Sequence, residues 1–367
     1  MHHFVQLLHC ELFDLVFSSE SPANIIRYSQ TCRDAKDAAD KYLKRTFDID
    51  KKLCSFFQHP TGFRALQRRT GMLISGSFAL QFFDRTTYPN SDLDLYVDAR
   101  FAAEVVDWLL EEEYTFQSNR RHPTLEDALL SITKGVGEPL SDTAILSHQQ
   151  GDAYGPPGVI TVITFNKIDS DSSVKIVQVM AALRTPIEVI LRFHSSAYPC
   201  SPPPSLGAPN YLTAVVMNFI SYKNAYSIYP HETFEKRRSL ACGNMDAYTR
   251  RAREKYVRRG WTIVPPPAAP ATSFRSGSRY IGDKDTWTLA LSTLPDHQEN
   301  TNHGDYFAIH SWDLDSHPRA MDDGASRVKF KILTSPLLRF SYTLAPTLSD
   351  IIPALVRKEF LSTDRFE

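Results

Sequence analysis

Apolar residues in the first fifty positions recur at the spacing of short amphipathic helices. A stripe at every fourth position from Ala35 to Phe47 predicts one helix, and Ser21 followed by Pro22 is typical of the start of another. A third helix is predicted around Leu12 to Phe17. Three short helices without strands hold little core of their own. The pattern therefore predicts a small helical head, residues 1–50.

From about residue 60 the pattern changes to alternating helical and strand-like segments. Short apolar runs and polar–apolar alternation predict strands over 72–74, 92–97, 159–165 and 174–180. Helical spacing predicts helices over 63–69, 78–83, 101–112 and 186–194. These segments together predict a mixed α/β core over residues 60–195.

Two proline-rich segments, 198–209 and 265–270, predict loops or linkers in the second half of the chain. The patterns over 211–229 and 232–259 predict a helical segment of residues 210–260 between them. Beyond them, β-like runs that include 306–309, and a final helix over 347–360, predict a β-rich C-terminal region of residues 271–367. The predicted fold class is therefore α+β.

Composition narrows the classes of function. The 367 residues carry 41 Lys+Arg and 42 Asp+Glu, a formal net charge of −1, and 42% of them are hydrophobic. This balance excludes wholesale disorder and a uniformly basic nucleic-acid coat. The five scattered cysteines favour neither a disulfide framework nor a zinc knuckle, and no run of about 20 apolar residues could cross a bilayer. We expect a cytoplasmic or nuclear protein with no membrane partner.

The candidate chemistry lies in two neighbouring segments, Gly76-Ser77 ahead of a helix and Asp92-Leu93-Asp94 at a strand. Side chains alternate along a strand, so the carboxylates of Asp92 and Asp94 project from one face. Adjacent carboxylates repel each other unless a cation neutralises them, and oxygen ligands suit Mg²⁺. The glycine turn precedes a helix N-terminus, whose free amides favour an anion such as a triphosphate. These are the parts that a phosphoryl- or nucleotidyl-transfer site needs.

The segments ISGSFALQFF (74–83) and NSDLDLYV (90–97) resemble the polymerase-β-like nucleotidyltransferase superfamily, whose mark is a Gly-Ser turn followed by an acidic-x-acidic strand. The resemblance implies that Asp92 and Asp94 are catalytic and hold Mg²⁺, and that Gly76 and Ser77 bind the phosphates of a nucleoside triphosphate. Gln178 stands where active members carry a third carboxylate. Its amide can ligate a cation but cannot take a proton as a general base. Both an Mg²⁺-dependent transferase that acts on a hydroxyl and an inactive nucleotide-binding domain therefore remain open.

Two sets of basic residues are further candidates for binding phosphate groups. Arg85, just before the acidic strand, could reach a phosphate and could equally cap a surface element. Farther along, cationic and aromatic residues concentrate at Arg250, Arg251, Arg253, Lys255, Arg258, Arg259, Tyr248, Tyr256 and Trp261. This concentration fits contact with an RNA backbone or a triphosphate, and it equally fits a solvated helix face. An RNA or a protein is the expected acceptor if the domain transfers a nucleotidyl group.

The amino terminus carries a second resemblance. LHCELFDLVF (8–17), SPANII (21–26) and SQTCR (29–33) resemble an F-box, with Cys10 where that pattern has proline. The F-box and the Gly-Ser and DxD motifs together are similar to a family of fungal F-box proteins. This resemblance implies a Skp-type adaptor as partner. The alternative to a transferase is thus a substrate receptor of a cullin–RING ubiquitin ligase, in which a degenerate nucleotidyltransferase fold recognises the target.

Overall fold

The computed structural model describes residues 10–89, 91–137, 158–170, 172–192, 214–240, 254–264, 277–292, 306–315, 327–335 and 338–348. The α-helices with assigned bounds are α1 (Cys10–Ser19), α2 (Pro22–Ser29), α3 (Arg33–Thr46), α4 (Ile49–Leu53), α5 (Pro60–Thr70), α6 (Gly76–Asp84), α7 (Ala102–Glu111), α8 (Leu125–Gly137) and α9 (Pro186–Arg192). A short helix covers 254–258, a π-helix covers His231–Glu235, and 3₁₀ turns cover Ala99–Phe101, Ala214–Val216 and Tyr306–Ile309.

The strands are β1 (Leu73–Ser75), β2 (Leu93–Asp98), β3 (Thr115–Phe116), β4 (Val159–Ile168), β5 (Val174–Ala182), β6 (Asn218–Ile220), β7 (Asn224–Ser227), β8 (Arg238–Leu240), β9 (Thr262–Val264), β10 (Gly277–Tyr280), β11 (Trp287–Ala290), β12 (Ser311–Asp315), β13 (Arg327–Lys329), β14 (Lys331–Leu333) and β15 (Tyr342–Leu344). The α+β class is confirmed, with helices at the amino terminus and a large mixed sheet.

An eight-stranded sheet in the order β11-β7-β6-β1-β2-β5-β4-β3 forms the centre of the fold. β2 runs parallel to β5 on one side and antiparallel to β1 on the other. Leu93, Leu95, Val177 and Val179 of β2 and β5 are fully buried. The buried middle of the sheet therefore places the start of β2 between β1 and β5.

The helical segment expected over 210–260 is wrong for most of its described residues. β6 and β7 lie within it and join the central sheet next to β1, and β11 adds a further strand outside β7. All three residues of β6 are buried. A run buried on both faces shows no alternation, so its periodicity does not separate a strand from a helix. The core thus extends beyond residues 60–195, and the β-like run at 306–309 is a 3₁₀ turn.

The three head helices are confirmed as α1, α2 and α3, which pack around Phe13, Phe17, Ile25, Ala39 and Tyr42. Arg85, at the end of α6, joins this head to the core. Its guanidinium donates hydrogen bonds to the carbonyl oxygens of Phe17 (2.8 Å) and Glu20 (2.5 Å) and to the hydroxyl of Tyr42 (3.0 Å). The expected phosphate contact is corrected accordingly, because these three acceptors engage Arg85 at the head junction.

Several predicted features lie outside the described residues. They are the start of the F-box-like segment at 8–9, the proline-rich segments 198–209 and 265–270, the basic positions Arg250, Arg251 and Arg253, and the final helix beyond residue 348. Within the described ranges, no helix combines the length and the apolar character needed to span a membrane.

Candidate functional site

A sharp turn joins buried strand β1 to buried helix α6 at Gly76. Gly76 has a φ of +66°, in the left-handed region that glycine adopts most readily. A Cβ atom at this position would overlap Oδ2 of Asp94 and lie 3.0 Å from its Cγ. Glycine therefore serves two needs, the backbone conformation of the turn and the close approach of the carboxylate. The structure brings together the turn and the acid that the sequence singled out.

Polar side chains tie this turn to the loop that precedes β2. The hydroxyls of Ser77 and Ser91 lie 2.5 Å apart, and Nε2 of Gln81 donates to the Ser91 hydroxyl at 2.8 Å. The Gln81 Oε1 atom accepts from the backbone N–H of Tyr88 at 2.6 Å. Gln81 is buried, so these bonds satisfy an amide that would be costly to leave unpaired. They fix Ser91 and hence the position of Asp92. The sequence analysis missed Gln81, which the pattern shows only as one polar residue in an apolar helix.

The amide groups at the start of α6 are not capped by the preceding side chain. Ser75 is the N-cap residue, but its hydroxyl donates to the carbonyl oxygen of Asn218 at 2.7 Å. The first N–H groups of a helix carry partial positive charge and have no partner within the helix. The hydroxyl of Ser77 bonds to Ser91, so this side chain is also engaged elsewhere.

The acidic pair lies at the beginning of β2, with Asp92 just before the strand and Asp94 inside it. Both residues are half-buried. The pKa of Asp94 is raised to about 7, chiefly by burial and also by the nearby charge of Asp92, and Lys255 opposes the rise. Burial also raises the pKa of Asp92, again opposed by Lys255. Two desolvated carboxylates so close together favour a cation, and oxygen ligands of this kind suit Mg²⁺.

Gln178 on β5 is the register partner of Asp94 across the parallel β2–β5 pair. Neighbouring residues in such a pair project to the same face of the sheet, so the amide stands beside the carboxylate. An amide oxygen can complete the shell of a hard cation without adding negative charge. Within the ranges that the structure describes, no group of three or more His, Cys, Asp or Glu side chains is placed to hold a metal ion.

The helix at 254–258 brings cationic side chains to the acidic pair. Lys255 is exposed overall, yet partial loss of water lowers its pKa, Arg259 lowers it further, and Asp94 and Asp92 raise it. The charges of both carboxylates thus act on the pKa of Lys255. The guanidinium of Arg259 lies 3.8 Å from the ring centre of Tyr88, in the loop leading to Asp92. Its Nη1 atom is buried and has no hydrogen-bond partner.

Aromatic packing fixes this helix against the core. Tyr256 is buried, and its ring lies 6.5 Å from that of Trp261. The indole N–H of Trp261 donates to the carbonyl oxygen of Thr233 at 2.9 Å. Arg237 lies over the Trp261 ring at 4.8 Å and pairs with Asp84, the last residue of α6, at 2.8 Å. The helix that carries Lys255 is therefore tied to the same helix that the Gly76 turn begins.

The site has two charged sides that come from distant parts of the chain. One side holds Asp92, Asp94 and the neutral amide of Gln178, and the other holds Lys255 and Arg259. Chemically, the first can bind a hard dication and the second can bind phosphate oxygens. No protein-family model, curated protein or solved structure matches the chain.

Proposed function

We propose that the chain binds a magnesium–nucleoside triphosphate between the acidic pair and the helix at 254–258. One observation carries the proposal: the carboxylate of Asp94 lies against the Gly76 turn, and the charges of Asp92 and Lys255 both act on its pKa. Carboxylates alone would favour any cation, and basic residues alone would favour any anion. A ligand that carries a dication and a chain of phosphates together matches both sides at once.

The residues of the site include the types of group that would bind the metal and the phosphates of such a ligand. Asp92 and Asp94 would hold Mg²⁺ with the amide oxygen of Gln178, since the pKa of each carboxyl group is raised and a bound dication would stabilise the charged form of both. Bound Mg²⁺ supplies charge neutralisation on the phosphates. The amides at the start of α6, which the N-cap side chain does not bond, and the unpaired Nη1 of Arg259 would be the donors for phosphate oxygens.

Binding, more than transfer, is the function that we infer. Gln178 occupies the register position beside Asp94, and an amide cannot accept the proton of an attacking hydroxyl. Nucleotidyl transfer to a hydroxyl acceptor would then lack a general base at this position. A slow transferase and a nucleotide-responsive domain share the same binding step, so binding is the property to test first.

Isothermal titration of the full chain with each of the four nucleoside triphosphates and Mg²⁺ tests the proposal. We expect at least one nucleotide to bind, and we expect Asp92→Asn combined with Asp94→Asn to abolish that binding. Asp313→Asn is the matched control, because Asp313 belongs to another Asp-Leu-Asp string on β12. Failure of all four nucleotides to bind the wild type, or unchanged binding to the double variant, would refute the proposal.

The exposed apolar surface of the head favours a second candidate function, the docking of a Skp-type adaptor. Leu15 is 68% exposed, and Leu12 and Val16 beside it on α1 are also exposed, as is Ile26 on α2. Positions 12, 15 and 16 share one helix face, while Phe13 and Phe17 point into the head. An apolar face of this kind is typical of a protein-binding surface. It supports the alternative that the chain is a substrate receptor of a cullin–RING ubiquitin ligase.

A binding assay with a purified Skp-type adaptor tests this second function. We expect the wild-type chain to retain the adaptor and Leu15→Asp to lose it. Leu130→Asp is the control, because Leu130 is similarly apolar and 49% exposed but lies on α8 of the core. Retention by Leu15→Asp, or no retention by the wild type, would exclude the head face as the docking surface.

A further inference from the structure

A cavity of about 280 Å³ lies between the helical head and the core, and it is open to solvent on one side. Its wall combines residues of α2, of the segment 229–235, and of β10 and the turn that leads into β11. The apolar part of the wall consists of Pro22, Ile26, Pro230, Phe234 and Trp287. Sites for drug-sized ligands run from about 300 to 1,000 Å³, so this cavity suits a group about as large as one side chain.

Aromatic packing forms the floor of this cavity. The ring centres of Phe234 and Trp287 lie 6.2 Å apart with the rings nearly perpendicular, and Phe234 also contacts the ring of Phe83 at 5.8 Å. Trp287 contacts Phe47 of the core at 5.5 Å. Phe234 belongs to the π-helix, a rare geometry that is found frequently at functional sites. The floor is therefore formed without a ligand, and a further aromatic ring could pack against it.

Two polar side chains of the wall have hydrogen-bonding atoms to spare. Arg279 is buried, and its Nε and Nη2 atoms donate to the carboxylate of Asp283, while Nη2 also donates to the carbonyl oxygen of Ile228 at 2.9 Å. Nη1 bonds to none of the described residues. The Oε1 atom of Glu235 accepts from the backbone N–H of Ala23 at 3.4 Å, and its Oε2 atom bonds to no residue in the described ranges. The wall thus offers one donor and one acceptor beside an apolar floor.

The charges around the cavity largely balance. Asp283 pairs with Arg279, and the exposed Lys284 stands next to the exposed Asp285 in the wall. This balance does not favour a highly charged group such as a triphosphate. A peptide unit is neutral and carries an N–H and a C=O close together, which matches the acceptor and the donor of the wall.

We propose that this cavity receives one aromatic side chain of a partner protein. The aromatic ring packs against Phe234 and Trp287, and the adjoining main chain donates an N–H to Glu235 and accepts from Nη1 of Arg279. The inference goes beyond the two functions proposed above, because it needs neither a bound nucleotide nor an adaptor.

Titration of the full chain with three probes tests the proposal. The probes are the acetylated and amidated peptide Gly-Gly-Trp-Gly-Gly, its counterpart with serine in place of tryptophan, and 3-methylindole, which is the tryptophan side chain alone. We expect the tryptophan peptide to bind at least about tenfold more tightly than the serine peptide, because it buries a large apolar ring. We expect 3-methylindole to bind more weakly than the tryptophan peptide, because it lacks the main chain. No preference for tryptophan over serine would overturn the proposal, and so would equal binding of 3-methylindole, which would indicate a site for a small aromatic molecule.

Variants of the apolar wall locate the binding site. Ile26→Asp places a charge at the apolar wall and is expected to weaken binding of the tryptophan peptide about fivefold or more. Leu15→Asp is the matched control, because Leu15 is also an exposed apolar residue of the head but does not line the cavity. It is expected to change the affinity less than about twofold. Equal effects of the two variants would place the peptide elsewhere and overturn the proposal.

A variant of the polar wall tests the contact with the main chain. Glu235→Ala is expected to weaken binding of the tryptophan peptide about three- to tenfold and to leave binding of 3-methylindole unchanged, since only the peptide has an N–H to lose. Glu111→Ala, which removes an exposed acid on α7, should change neither affinity. An equal loss for both probes in Glu235→Ala would mean that the floor is damaged and that the main-chain contact is wrong.

Discussion

Substitution of Gly76 by alanine tests how tightly the turn and the acidic strand are packed. The left-handed φ of +66° costs an alanine about 1–2 kcal/mol. The added Cβ would overlap Oδ2 of Asp94 and lie 3.0 Å from its Cγ and 3.3 Å from its Cβ. Rotation of the carboxylate alone does not clear the Cβ–Cβ approach, and β2 is held by β1 and β5 on both sides. Overpacking of this kind adds about 1–3 kcal/mol. We expect a total loss of about 2–5 kcal/mol in the free energy of unfolding, the sum of these two costs.

Urea denaturation of matched variants measures the two contributions separately. Gly282 also has a positive φ, +85°, but a Cβ there meets nothing nearer than the Thr288 hydroxyl at 3.9 Å. Gly282→Ala therefore reports the backbone cost alone. In an Asp94→Ala background the overlap with Oδ2 and Cγ is removed and the 3.3 Å approach of the two Cβ atoms stays, so Gly76→Ala is expected to cost less there than in the wild type. Titration with Mg²⁺–ATP is expected to show weakened binding to Gly76→Ala and unchanged binding to Gly282→Ala.

Two outcomes would refute this reasoning. If Gly76→Ala costs no more than Gly282→Ala in the wild-type background, the carboxylate of Asp94 does not rest against the turn. If the cost of Gly76→Ala is the same with and without the Asp94 side chain, the collision lies elsewhere. Either result would remove the geometric basis of the proposed site.

Three further predictions follow from charge and hydrogen bonding. Since the folded-state pKa of Asp94 is raised from 3.8 to about 7, the folded chain binds more protons there than the unfolded chain. Its stability in metal-free buffer should fall as pH rises from about 4 to 7, and Asp94→Asn should flatten that decline in urea titrations; a steeper decline would contradict the burial of this acid. Gln178→Asp should strengthen binding of Mg²⁺ about tenfold or more by calorimetry, as expected for an added carboxylate ligand; unchanged affinity would place Gln178 outside the metal shell. Arg85→Met should speed hydrogen exchange in α1 and α2, because the head loses its bonds to Arg85, while Arg27→Met on the surface of α2 should not; equal protection in both variants would exclude Arg85 as the junction.

The acidic half of the site can be predicted from the sequence because the residues that form it lie near one another along the chain. Gly76 and the Asp92–Asp94 pair lie within one strand–helix–strand unit, and each element is short enough for its pattern to be specific. The role of Gln178 needs only one long-range contact, the parallel pairing of β2 with β5. Hydrophobic alternation fixes that register, because a slip by one residue would turn the apolar side chains to the wrong face.

The cationic half does not follow from the sequence because its position depends on tertiary contacts. Nothing local to Lys255 distinguishes it from Arg258, yet Lys255 interacts with the acidic pair and Arg258 is exposed on the same short helix. The difference arises from the packing of Tyr256 against Trp261, far along the chain from β2. For Arg85, position in the sequence points to a partner that differs from the ones in the folded structure. Its place beside the motif favours a phosphate contact, but the carbonyl groups of the folded head provide its partners.

The charges of the two halves explain why glutamine suits position 178. Asp94 and Asp92 are already partly desolvated, and Lys255, whose charge acts on both, carries a single charge. A third carboxylate beside Asp94 would add a negative charge that Lys255 could not balance, and the metal-free fold would lose stability. In the proposed site, glutamine would keep an oxygen ligand at this position without that cost. Glutamine also cannot accept the proton that transfer chemistry needs to remove, so under the proposed function a site that stays stable without metal would be better suited to binding a nucleotide than to transferring its nucleotidyl group.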